Sequence, residues 1–143
     1  MKNRIILFVS VLILGLNLTS CGSDDGPTTS AEIFGKWELY KTGDKDGGGE
    51  YLELHEHQAG CIKDYVVFSV DGNFINTIFF DGCESYGYSG TYTKSGNTLT
   101  VNDGFDVTTL TIKELSSSTL KVYQTYSEDG ETFTEITIFK RAN

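Results

Sequence analysis

TLKVYQTYSEDGETFTEITIFKR, residues 119–141, carries large side chains at every second position on both sides of Asp129-Gly130. Period two is the signature of extended chain with one face buried, and Asp-Gly supplies the positive φ that a tight hairpin needs. A two-residue turn at Asp129-Gly130 sets Tyr126 opposite Phe133, Val122 opposite Thr137 and Leu120 opposite Phe139. One face of the hairpin is then mainly apolar and seeks a core.

The same reading extends back through the chain. Period two runs from Phe34 onward with turn signals about every ten residues, and predicts eight strands: 34–42, 62–70, 73–81, 86–94, 97–103, 105–115, 119–127 and 131–141. Asp71-Gly72, Ser95-Gly96 and Asp103-Gly104 punctuate them as Asp129-Gly130 does. Hairpins in series with no crossover helix imply an antiparallel meander. A turn at Ser95-Gly96 would set Tyr92 against Leu99 and Gly90 against Val101. A three-residue turn at Asp71-Gly72-Asn73 would align Val70 with Phe74, Val66 with Ile78 and Cys61 with Cys83.

The start of the chain reads as an address. Lys2 and Arg4 precede an almost unbroken apolar run from Ile5 to Leu16, shorter than the ~20 residues a spanning helix needs, and Leu18-Thr19-Ser20-Cys21 follows. That tetrapeptide resembles the lipobox of bacterial lipoproteins, which implies a signal peptide at 1–20 and acylation of Cys21. Residues 21–32 form a tether of Gly, Ser, Thr, acid and the only Pro, leaving 33–143 for the fold. By the same resemblance, Gly22 and the following Ser23-Asp24-Asp25 imply the outer membrane and export toward the cell surface.

Eleven Lys and Arg against twenty Asp and Glu, for a net charge of −9, argue against a nucleic-acid partner, which demands a clustered basic surface. Without Lys2 and Arg4 the charge becomes −11, so acyl chains rather than electrostatics would hold the protein on a membrane. In an oxidising envelope the two cysteines other than Cys21 should pair, and the hairpin register above predicts a Cys61–Cys83 disulfide.

Eight strands behind Gly35-Lys36-Trp37, with Arg141 ending the last, resemble the lipocalins. Their Gly-x-Trp signature and terminal Arg match these residues over about 33–141, nearest to the lipocalin-like domains of bacterial lipoproteins. The resemblance implies an eight-stranded up-and-down barrel, or calyx, closed at one end by Gly35, Trp37 and Arg141. It also implies a large first loop, 43–60, over the mouth. A β-sandwich is the alternative architecture. Candidate ligand-contacting residues are Leu39, Phe68, Phe80, Tyr88, Tyr92, Tyr126 and Phe133, beside Val66, Ile78, Leu99, Val101 and Val122 as further wall. Eight strands permit either a cavity or an interior packed solid.

Chemistry beyond binding has little support in the residues. His55-Glu56-His57 is the one metal-like cluster, with Cys61 or Glu53 as a third ligand, but a solvated polar loop is the simpler reading and no metal or cofactor is expected. No nucleophile elbow, carboxylate pair in a motif or phosphate loop occurs. The expectation is a monomeric, non-catalytic envelope lipoprotein that buries a small hydrophobic or amphipathic ligand. The competing reading is a solid-cored module that meets protein or glycan through its loops.

Overall fold

Alternating Val, Ile, Thr and aromatic residues hold the backbone extended almost throughout the computed structural model, which describes residues 32–143. Cys21, the expected signal peptide at 1–20 and all but the last residue of the expected tether at 21–32 lie outside the described residues. Nine strands follow one another: β1 (Gly35–Asp46), β2 (Gly49–Leu54), β3 (Tyr65–Phe68), β4 (Asn73–Phe79), β5 (Ser85–Ser95), β6 (Thr98–Asn102), β7 (Val107–Leu115), β8 (Thr119–Glu128) and β9 (Glu131–Arg141). Their order in the sheet is β2-β1-β3-β4-β5-β6-β7-β8-β9, and β1 also pairs with β9. That last pairing closes the sheet on itself. Eight strands make the barrel, β2 is an addition, and the sandwich alternative falls because β1 joins the two ends of a single sheet.

The length of β1 allows this. Its first residues, Gly35 to Glu38, pair with β3, its last, Lys41 to Asp46, pair with β2, and β9 runs beside it from Trp37 to Lys45. The hand-over falls at a bulge between Leu39 and Lys41. There the Leu39 amide donates to the Asp64 carbonyl and the His55 amide donates to the Tyr40 carbonyl, both at 2.9 Å.

Half of the expected 43–60 loop is therefore strand. Gly47-Gly48 turn the chain, with the Asp46 carboxylate accepting the amides of Gly48 (2.7 Å) and Gly49 (3.2 Å). Glu50 then reaches Lys121 at 2.5 Å and the Tyr123 hydroxyl. Lys121 and Tyr123 alternate with the inward-facing Leu120 and Val122, so this hairpin leans on the outer wall.

The β8–β9 register is the expected one, from Leu120↔Phe139 through Val122↔Thr137 to Tyr126↔Phe133. Two other hairpins differ from expectation. The β5–β6 turn sits at Gly96-Asn97, so Tyr92 pairs with Val101 and Lys94 with Leu99. The β3–β4 turn takes Val70-Asp71-Gly72, so Phe68 pairs with Phe74 and Val66 with Asn76, and Val70 is left exposed in the turn. Cys61 and Cys83 are joined, with Cα atoms 5.4 Å apart, but outside any ladder. The bridge ties the 55–64 connector to the 3-10 turn Asp81–Cys83 that follows β4.

Buried side chains gather toward one end of the barrel. Ile33, Trp37, Val66, Phe68, Phe74, Leu99, Ile112, Leu120 and Val122 form a continuous core. Trp37 at 0% exposure is its largest member.

Candidate functional site

The closed end is organised around Trp37. Its indole N–H donates to the Ile33 carbonyl at 2.6 Å, and the Arg141 guanidinium lies 4.1 Å from the ring centroid. Arg141 has donors to spare, and uses Nε on Ser117 O (2.9 Å), Nη1 on Phe34 O (2.9 Å) and Nη2 on Glu32 O (2.7 Å). One planar cation thus satisfies three carbonyls and covers an aromatic face, which a lysine cannot do. Gly35 makes room for it. With φ +120° and an Arg141 nitrogen 2.7 Å from where a Cβ would stand, any side chain here would push the guanidinium away.

Above the Trp37 layer the interior is not filled. A cavity of about 180 Å³ is walled by Val66, Phe68, Phe74, Leu99, Val101, Leu110, Leu120, Val122 and Phe139, with Asn76, Tyr88, Gln124, Glu135 and Thr137 as its polar members. A second space of about 160 Å³ shares Phe74, Tyr88, Val101, Leu110 and Gln124 with it and continues to Asp103, Asp106 and Thr108 on the β6–β7 connection. The two spaces adjoin along these shared side chains, one toward the core and one toward the rim. At ~30 Å³ for a water-sized group, the inner space holds about six such groups, a small ligand rather than a drug-sized one.

The sequence profile of the lipocalin-like domain matches residues 33–122. The chain belongs to the lipocalin-like family. Solved structures agree on the fold. A lipocalin-like protein from Bacteroides uniformis ATCC 8492 superposes with TM-score 0.54 at 18% identity, over 77% of this chain and 98% of that one. An uncharacterized protein from Bacteroides eggerthii DSM 20697 gives TM-score 0.57 at 13% identity, over 78% of this chain and 100% of that one. None of the curated proteins matches the sequence.

Within this lipocalin-like barrel the expected ligand contacts separate into three groups. Phe68 and Tyr88 line the cavity, as do Val66, Leu99, Val101 and Val122. Tyr126 and Phe133 stack on each other with centroids 5.6 Å apart at the rim, outside its lining. Leu39, Phe80, Tyr92 and Ile78 also lie outside the lining. Leu39 sits at the β1 bulge beside Phe139, and Phe80 falls beyond the end of β4, where alternation stops, and is exposed. Tyr92 packs edge-on to Phe68 at 4.8 Å and donates its hydroxyl to Ser69 O at 2.7 Å.

The charged side chains that line the two spaces, Glu135, Asp103 and Asp106, are all acidic. Asp103 accepts the amides of Asp106 (2.8 Å) and Phe105 (2.9 Å), which hold its carboxyl below the ordinary range. Burial raises the Tyr88 phenol, and the negative charge of Asp103 adds to the effect. Tyr126 donates to Glu135 at 3.1 Å, and that bond raises its own phenol.

The two histidines converge on Asp64, in place of the Cys61 or Glu53 that the sequence offered. Asp64 is 3% exposed, and its Oδ2 lies 2.6 Å from His55 Nε2, while its Oδ1 accepts the Phe79 amide at 2.8 Å. Its own amide donates to His57 Nδ1 at 3.1 Å. Burial alone would raise this carboxyl, but the His55 bond, the Phe79 amide and the charges of both imidazoles outweigh it, and it stays below the usual range. The three side chains come close enough to share an ion, yet each is already engaged. What they do as arranged is fasten the 55–64 connector to β4 beside the point where β1 changes partner. Asp64 is the one polar member of the alternating series Ile62, Asp64, Val66, Phe68, and that break in the inward face is a signal for it in the sequence.

Proposed function

We propose that this protein is an envelope lipoprotein whose barrel binds a small apolar or amphipathic molecule without transforming it. The unfilled, apolar-walled cavity above Trp37 carries the reading. Eight-stranded barrels of this family commonly hold one small ligand, and burial against Phe, Leu and Val stabilises such a ligand by about 25 cal/mol per Å² of apolar surface. Gln124, half-buried where the two spaces adjoin, and the Tyr88 hydroxyl stand ready to orient a polar end. A non-catalytic role is supported by the placing of both imidazoles: neither lines the cavity, and both are engaged with Asp64.

Anchoring through an acylated Cys21, on the outer membrane and facing outward, belongs to the same proposal. Incorporation of labelled palmitate that disappears in Cys21→Ala tests the anchor. For the cavity, the purified protein is extracted with organic solvent to identify a co-purifying molecule, and a fluorescent apolar probe is titrated into wild type and Leu110→Trp. The expected result is saturable binding lost in the filled variant with its melting temperature retained. Equal binding by both proteins contradicts the reading.

The interaction module has one observation in its favour: Phe105, on the rim loop, is 96% exposed. A partner captured equally by wild type and Leu110→Trp but lost in Phe105→Ala would favour that reading.

A further inference from the structure

The charge around the cavity narrows the chemistry of its occupant, given the ligand-binding reading above on which this inference rests. Both spaces have carboxylates in their lining, Glu135 in the first and Asp103 and Asp106 in the second, and neither is lined by a lysine, arginine or histidine. The carboxylates are not themselves the site. The apolar cavity is the site, and they set the sign of whatever sits in its mouth.

We infer that the ligand is an amphiphile with a cationic amine head, its apolar part in the barrel and its ammonium at the mouth between Asp103, Asp106, Glu135 and the rings of Phe74 and Tyr88. Three features converge on this class. A fatty-acid carboxylate seated here would meet like charges with no cation or helix N-terminus to offset them, an arrangement that costs affinity. Phe74 and Tyr88 meet edge-to-face, with centroids 5.9 Å apart, and line both spaces. Aromatic faces beside carboxylates are the surroundings in which an ammonium is held most readily. Finally, Asp103 has its carboxylate fixed by two backbone amides, so its charge is positioned before a ligand arrives.

Asp106 and Glu135 are exposed, so solvent screens part of the effect and the discrimination is moderate. Octyl amphiphiles suit the size of the two spaces and differ only in the head. Calorimetric titration of the purified protein with octylammonium, octanol and octanoate, each below its micelle concentration, separates the terms.

Octylammonium should bind about tenfold or more tighter than octanoate, with octanol between them. In Asp103→Asn/Asp106→Asn/Glu135→Gln the amine and acid should converge to within about threefold while octanol affinity is retained. Glu114→Gln, which removes an exposed carboxylate on β7 that lines neither space, should leave the order unchanged. Octanoate binding as tightly as octylammonium to the wild type would overturn the inference while leaving the ligand reading standing. The same holds for a preference that survives the triple variant, since net charge alone would then explain it. If no octyl compound binds, the ligand reading itself falls, and the head preference with it.

Discussion

At the floor of the barrel Trp37 is wholly buried and Arg141 satisfies three carbonyls across its face, whereas at the rim Tyr126 and Phe133 stack on each other while remaining 38% and 40% exposed. Both pairs are large groups in contact, yet only the first is surrounded. The floor converts aromatic area into stability because water is excluded from every side. The rim leaves the same kind of area half in water. One barrel thus has a sealed end and an open end, which the proposal makes the binding end, and the contrast can be probed one residue at a time.

The largest effect belongs at the floor. Trp37→Ala removes the biggest buried side chain and should destabilise the protein by about 3–5 kcal/mol in urea unfolding. A loss under 1 kcal/mol would mean that the floor is not the structural end. Next comes the bridge from connector to 3-10 turn: Cys61→Ala/Cys83→Ala should cost about 3 kcal/mol, read in the same assay. Mass analysis showing two free thiols in the native protein would remove the premise.

Asp64→Asn follows, at about 1–3 kcal/mol, because it leaves buried polar groups poorly matched. Its pH dependence has a definite sign. A carboxyl whose pKa is lowered in the folded state stabilises above the unfolded value of about 3.9, and that contribution is lost as pH falls through the folded value. The gap between wild type and variant should therefore narrow as the unfolding assay moves below pH 4. A gap that widens there would contradict the assignment. Smallest is Phe105→Ala at the rim, expected within about 0.5 kcal/mol of wild type by thermal melt, since its side chain touches little else.

The same contrast governs what the sequence made legible. Trp37, Gly35 and Arg141 were readable through the lipocalin resemblance, whose Gly-x-Trp signature and terminal Arg they match. The closing hairpin was readable because Asp129 and Gly130 both take positive φ, at 52° and 82°. At the β5–β6 turn only Gly96 does, and moving the turn by one residue exchanges every partner by two positions. Such an error preserves which face each residue occupies, so periodicity cannot reveal it. Tyr92 and Val101 still point inward although the expected pairing was Tyr92 with Leu99.

β2 escaped notice for a different reason. Tyr51, Leu52 and Leu54 sit among glycines and acids, and the strand buries little, so its hydrophobic signal is weak. The Cys61–Cys83 pair was readable from compartment and spacing, although its supposed register was not the one that forms. Among the site residues, Phe68 and Tyr88 follow from inward alternation. Leu110, Gln124 and Glu135 do not, because only closure of the barrel brings β7, β8 and β9 around the same space.

The central proposal, a ligand-binding end opposite a structural one, is tested most directly by following backbone amides and the Trp37 indole N–H in nitrogen–proton correlation spectra during titration with octanol. The account predicts saturable shifts at Tyr88, Val101, Leu110 and Gln124 with the Trp37 indole signal unmoved. Shifts confined to the outer wall around Tyr123, or no saturable shift at all, would contradict it.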